Sequence, residues 1–470
     1  MSVHRVIAFS ALLLSTRLAA STPPDGILDP GFGNAGLASA SFNLTPDFAD
    51  RSVGMAVAPS GRIYLAATVG VSVQGQTRQR PALARFLGDG QLDTSFSGDG
   101  LSSPIPNTLA SQHLIARGVL LRADGRPLAY GVRYAGGGAR AKAFVCRYAV
   151  AGNLDPGFDG DGCAEPSLAL IDNGEEHPYT ALRLPDERVL LGGYVGVNPL
   201  NPDHLDGMLM MLTADGAVDP SFGTSGYVRL QPPGSSFTQV IDLHRLDDGR
   251  ILIAATADTG SFVARTSASG QLDTQFGSNG YALLSFADLH NLSLPLEWAR
   301  ALGVDSQGRI YLCGNITYGN NLQQSVMTYA RLSPNGLLDL SYSSDGRVLR
   351  PFIDVFPTSN IVDCSIDAQD RLVAAVHTGT IGPSNGDIGA LRLLADGSED
   401  PRFGHLGQTR VAIDLGGNGV GHETLAGMAL LGDRLLIAGT AYPANGVTTT
   451  GEVHTIIRLG SDRPFADGFE

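Results

Sequence analysis

Lysine is almost absent from this chain. Lys142 stands alone, so arginine supplies the other 31 of 32 basic residues, against 46 acidic ones and a net charge of −14. Without clustered cations to follow a phosphate backbone, nucleic-acid binding is excluded. Tryptophan is single, at Trp298, and aromatics reach only 7%, which leaves little surface for stacking sugars. Charged residues make up 17%, against about 25% in ordinary globular chains. No run after the N-terminus is apolar and long enough to span a bilayer as a helix.

Reactive motifs are missing as well. There is no G-x-S-x-G elbow, no H-E-x-x-H and no phosphate loop. The run Gly416-Gly417-Asn418-Gly419 follows an apolar stretch, but no helical pattern follows it. The four cysteines avoid C-x-x-C spacing, which argues against a zinc site. Asp159-Gly160-Asp161-Gly162 has no glutamate at the calcium-loop distance and reads as a tight turn. No metal and no cofactor is expected, and no motif indicates catalysis.

Glycine, by contrast, is abundant at 60 residues, and hydrophobic content is 43%. That balance fits many short strands joined by tight turns and does not fit disorder. A twelve-residue signature recurs: DGILDPGFGNAG at 25–36, then near-copies ending at 100, 162, 226, 280, 346 and 407. Its aspartates are Asp29, Asp93, Asp155, Asp219, Asp273, Asp339 and Asp400, spaced by 64, 62, 64, 54, 66 and 61 residues. A fixed period of this size means a repeat architecture.

About 33 residues after each aspartate an apolar run stops at a turn, then arginine, then another apolar run, as in VAPSGRIYLAAT (57–68). That is a hairpin signal. A third run enters the next signature, and residues such as Tyr227–Leu230 leave it. Each unit therefore reads as four strands, a to d, with the signature as the d–a turn and the arginine landmark as the b–c turn. Seven such units predict an all-β, seven-bladed β-propeller over 25–460, with an open β-solenoid as the alternative. The chain starts on a d–a signature and ends on a d strand, so Thr455–Leu459 is expected to close the ring against the first blade.

These residues resemble the delta-60 repeat family, whose units carry an L-D-x-x-F-G-x-x-G signature and a central D-G-[KR] turn. The chain departs from it at Tyr342, Val218, Glu399 and Asp370. The resemblance implies an exported bacterial propeller-like protein and transfers no catalytic residue. Residues 1–20, with His4 and Arg5, an apolar core at Val6–Leu14 and Leu18-Ala19-Ala20-Ser21, read as a signal peptide. Residues 461–470 read as a C-terminal tail. In an exported chain Cys146–Cys163 and Cys313–Cys364 is the preferred pairing among three, with small buried thiols as the alternative.

The two ends of the ring differ. The d–a and b–c turns share one end and repeat their chemistry. The a–b and c–d loops share the other. From the b–c arginine to the matching d-strand position, spacings run 23, 21, 23, 15, 22, 21 and 24. Variable length on one face marks the binding face. Polar residues there, near the start of each strand b, are the candidate site: Asp50, His113, Glu176, His177, Glu297, Trp298, His422 and Glu423. Ordinary loop polars are the competing reading. The expected function is an exported, monomeric, noncatalytic propeller binding a protein, glycan or envelope component. The alternatives are a hydrolase or lyase with His177 or His422 as base and a neighbouring glutamate, or a purely structural repeat protein.

Overall fold

The computed structural model describes residues 25–42, 44–45, 50–104, 106, 109–134, 140–167, 175–196, 205–289, 296–319, 324–352, 358–379, 386–413, 422–442 and 452–460. The expected signal peptide, the tail and the glycine run at 416–419 lie outside them.

Seven antiparallel sheets form a β-propeller. Each runs b-c-d-a outward from a central channel, and the b strands line that channel. They are Arg51–Val57, His113–Leu121, Glu175–Arg183, Thr238–Arg245, Leu296–Val304, Thr358–Ile366 and His422–Leu431, in blades one to seven. The only helical element among the described residues is a 3-10 turn at Ala287–Leu289. Strands c are buried almost throughout, because both faces of each blade are covered by neighbouring blades.

Strand a leaves the signature turn and pairs with the d strand before it, so it is the outermost strand of the preceding sheet. Tyr227–Leu230, for example, pairs with Leu205–Leu212. The same rule closes the ring. Leu37–Ala40 and Ile27–Leu28 pair with Val453–Gly460 and complete blade seven. No blade is left with an uncovered d-strand edge.

The signature turn works as an inter-blade joint. In all seven copies the aspartate Oδ1 accepts the backbone N–H two residues on, at 2.9–3.1 Å. That is an Asx turn. The other oxygen takes an arginine from strand d: Arg85, Arg147, Arg265, Arg331, Arg392 and Arg458 sit 2.7–2.9 Å from it. Blade three has Met211 in that place, and Arg188 from its b–c turn holds Asp219 at 3.0 Å. Most b–c turn arginines join the same contact. Arg62, Arg126, Arg250, Arg371 and Arg434 also approach their blade's signature aspartate, and Arg309 turns to Asp305 instead, at 2.6 Å.

Each of the six d-strand guanidiniums also lies 4.6–4.9 Å from the ring centroid of its signature Phe or Tyr. That ring presses on the next blade. A Cβ at Gly90, Gly152, Gly216, Gly270, Gly336, Gly397 or Gly26 would meet Phe32, Phe96, Phe158, Phe222, Phe276, Tyr342 or Phe403 at 2.5–3.2 Å. Each of those glycines has φ between +80° and +102°, so both backbone and space demand glycine. This is why Gly heads the signature.

Cys146 and Cys163 form a disulfide across the d and a strands of blade two. Cys313 and Cys364 form a second, between blades five and six.

Candidate functional site

Every b strand carries a β-bulge at the same place. The register skips Val53, Arg117, Tyr179, Ile241, Arg300, Val362 and Ala426. A bulged residue has no cross-strand partner and is re-aimed by the local kink. All seven line one central cavity of about 410 Å³, a size suited to a small ligand or part of a chain.

Bulging frees backbone N–H groups that burial requires to be paired. The preceding blade supplies the acceptors. Thr440, Thr68, Thr256 and Asn315 take the N–H before the bulge, at Ser52, Ala116, Ala299 and Ile361, over 2.7–3.0 Å. Beyond the bulge, Asp242 accepts from Leu302 at 2.9 Å and Asp363 from Met428 at 3.0 Å. Both residues are half-buried in the cavity wall, and desolvation raises their carboxyls to about 6 and about 7; for Asp363 the charge of Asp242 adds to the rise.

The polar residues at the start of strand b divide into rows. One row lies three residues before the bulge: Asp50, Leu114, Glu176, Thr238, Glu297, Ser359 and Glu423. Its carboxylates hold the variable loops. Gly70 N–H donates to Asp50 at 3.0 Å, Phe286 N–H to Glu297 at 2.9 Å and Ile413 N–H to Glu423 at 3.1 Å. Glu176 is 1% exposed and pairs with the single lysine, Lys142, at 2.9 Å. Asp50 is raised to about 6 and Glu423 to about 7, first by desolvation.

The next row holds Arg51, Ile115, His177, Gln239, Trp298, Asn360 and Thr424. Gln239 and Trp298 line the cavity. His177 stacks on Tyr194 (4.6 Å, 17° between planes), stands edge-on to Tyr134 at 6.1 Å, and places Nε2 3.2 Å from a carboxylate oxygen of Glu175. Tyr179 lies 5.8 Å from Tyr194, with the Arg117 guanidinium 4.7 Å above its ring. Burial lowers the His177 imidazole below its usual value, against the pull of Glu175, and raises the Tyr194 phenol. A continuous patch thus joins Tyr134, His177 and Tyr194 to the cavity wall through Tyr179 and Arg117. His113 stands apart from it, with Nε2 3.0 Å from Arg78. His422 opens strand b of blade seven opposite Tyr442, and its side chain is outside the described residues.

Of the eight residues singled out by sequence, Trp298 reaches the cavity and His177 the aromatic patch. Arg117, Tyr179 and Arg300 were missed. The signal was available, since residues two apart on a strand share a face: Tyr179 follows His177 by two, and Arg300 follows Trp298 by two.

A β-propeller domain of unknown function, DUF5122, matches residues 58–96 and 246–276. No curated protein matches the chain. Among solved structures, the polysaccharide lyase Uly1 is 11% identical, with 94% of this chain and 98% of that one covered and a TM-score of 0.47. Prolyl oligopeptidase B from Galerina marginata is 12% identical, over 88% of this chain and 52% of that one (TM-score 0.45). A Penicillium chrysogenum alpha-L-arabinanase complexed with arabinobiose is 10% identical, over 73% and 92% (TM-score 0.40). The family description and the seven sheets agree on a β-propeller.

Proposed function

We propose that this is an exported bacterial propeller of the delta-60 type that binds a glycan, without catalysis, at the variable end of its channel. One observation carries the reading: the patch of Tyr134, His177, Tyr179 and Tyr194 runs into the central cavity. Half-buried tyrosines offer an apolar ring face for the C–H side of a sugar and a hydroxyl for its polar edge. At the opposite end the signature aspartates are paired with arginines. Two disulfides, together with an N-terminal sequence that reads as an export signal, support action outside the cytoplasm.

The test is retention on immobilised polysaccharides, neutral, uronate-bearing and sulfated. Tyr179→Ala and Tyr194→Ala should each weaken retention about tenfold or more, while Arg250→Ala on the signature end leaves it unchanged. Loss of retention with Arg250→Ala alone would defeat the assignment of faces.

A hydrolase or lyase is the second reading. It is favoured by the His177–Glu175 pair, because a neutral imidazole beside a carboxylate is the arrangement of a general base. New reducing ends or an unsaturated, ultraviolet-absorbing product after incubation with the same polysaccharides, lost in His177→Ala, would establish it over noncatalytic binding.

A further inference from the structure

We infer that the central cavity is an oxyanion site, built by Arg117 and Arg300, that takes the carboxylate or sulfate of an acidic saccharide. The inference rests on the glycan-binding reading and names the class of glycan.

Many arginines of this acidic protein are held by carboxylates or carbonyl oxygens, as the signature joints show. Arg117 and Arg300 differ. Both occupy bulge positions, on blades two and five, so they reach the cavity from walls three blades apart. Among the described residues neither has a carboxylate within ion-pair distance, and the buried Nε of each has no hydrogen-bond partner. Each residue is half-exposed at the cavity wall with its Nε buried, and a buried donor left without a hydrogen bond is costly.

The nearby carboxyls do not neutralise them. Asp242 accepts two backbone N–H groups, from Leu243 at 2.8 Å and Leu302 at 2.9 Å, and Asp363 accepts that of Met428. Gln239 and Trp298 complete the polar wall, and Val53, Val362, Ala426 and Met428 give an apolar one. Two cationic forks facing a half-apolar cavity suit an oxyanion on a compact organic body. The tyrosine patch beside Arg117 continues the site toward the variable end, where the rest of a saccharide would lie.

The chain carries its own reporter, because its single tryptophan lines this cavity. The mature protein is titrated with sodium sulfate, sodium glucuronate and glucose at constant ionic strength, following tryptophan fluorescence and heat of binding. Sulfate or glucuronate should change the fluorescence saturably and glucose should not. Arg117→Gln and Arg300→Gln should each weaken binding about tenfold or more, in the range of a hydrogen bond to a charged group. Arg300→Lys should retain part of it. Arg402→Gln, exposed on the signature end, should change nothing. No saturable response to either anion, or unchanged affinity in the Arg117→Gln/Arg300→Gln double variant with an unchanged melting profile, overturns the inference. Retention on polysaccharides without small-anion binding would sink this inference alone. Small-anion binding without retention on any polysaccharide would leave the site standing and sink the glycan reading.

Discussion

Arg458 and Asp29, 429 residues apart, meet with Nε and Oδ2 separated by 2.9 Å. This is the same contact that Arg265 makes with Asp273 eight residues away. The ring is therefore closed by the joint used in five of the other six blades, and residues 27–40 meet residues 453–460 within one blade.

Asp29→Ala should destabilise the whole protein, because it leaves the buried Arg458 without a counter-charge. Breaking a buried pair costs about 3 kcal/mol or more. Asp219→Ala, in the blade where Met211 replaces the d-strand arginine, should cost less, since only the partly exposed Arg188 is released. Equal shifts in melting temperature for the two variants would refute the role of the d-strand pair. Deleting residues 452–470, which removes the strand that Leu37–Ala40 and Ile27–Leu28 pair with, should lower the melting temperature further than either.

Gly216→Ala and Gly61→Ala separate strain from crowding. Both glycines are left-handed, at φ +92° and +79°, and each alanine should lose about 1 kcal/mol to backbone strain. At Gly61 a Cβ meets nothing, whereas at Gly216 it meets the Phe158 ring at 2.5 Å. Overpacking should add about 1–3 kcal/mol there. Chemical denaturation of the two variants makes the comparison.

Asp363 and Asp242 set a pH dependence. Their folded values, about 7 and about 6, lie above those of an unfolded aspartate. The stability tied to their protonated forms is fully present below about pH 4 and is lost as pH rises through 6 and 7. The protein should lose stability from pH 4 to pH 8 through these groups, with Asp50 and Glu423 adding in the same sense, and Asp363→Asn should reduce the slope over that range. The signature carboxylate Asp93, lowered to about 2, acts in the opposite sense and only in strong acid. A variant whose melting temperature follows the parent in parallel from pH 4 to 8 would exclude the Asp363 contribution.

Reduction should be felt unequally by the two disulfides. They close 17-residue and 51-residue separations, for which loop entropy gives about 3 and about 4 kcal/mol. Protein recovered from the exported fraction and alkylated without reduction should show no modified cysteine by mass spectrometry. Cys313→Ala/Cys364→Ala should melt lower than Cys146→Ala/Cys163→Ala.

The fold was legible because its rules are local and repeated. A turn aspartate, the glycine ahead of it and the arginine eight residues upstream lie within one stretch of sequence, and the repetition removed ambiguity. The site was less legible. Glu176 and His177 are sequence neighbours of similar polarity, yet one is turned between blades onto Lys142 and the other lies against Tyr194. Only pairing across strands tells them apart. The bulge itself was hidden for a stronger reason. An extra residue in strand b leaves no mark unless the partner strand is known, so the two-residue period places Arg300 on the face of Trp298 and does not show that its position is skipped by the ladder.

The seven bulges have a consequence for how such proteins diversify. A residue skipped by the ladder contributes no cross-strand pair, so Val53, Arg117, Tyr179, Ile241, Arg300, Val362 and Ala426 can be exchanged with little effect on blade register. Recognition and assembly are thereby assigned to separate sets of positions. A library randomised at these seven sites alone would sample new ligands on an unchanged frame.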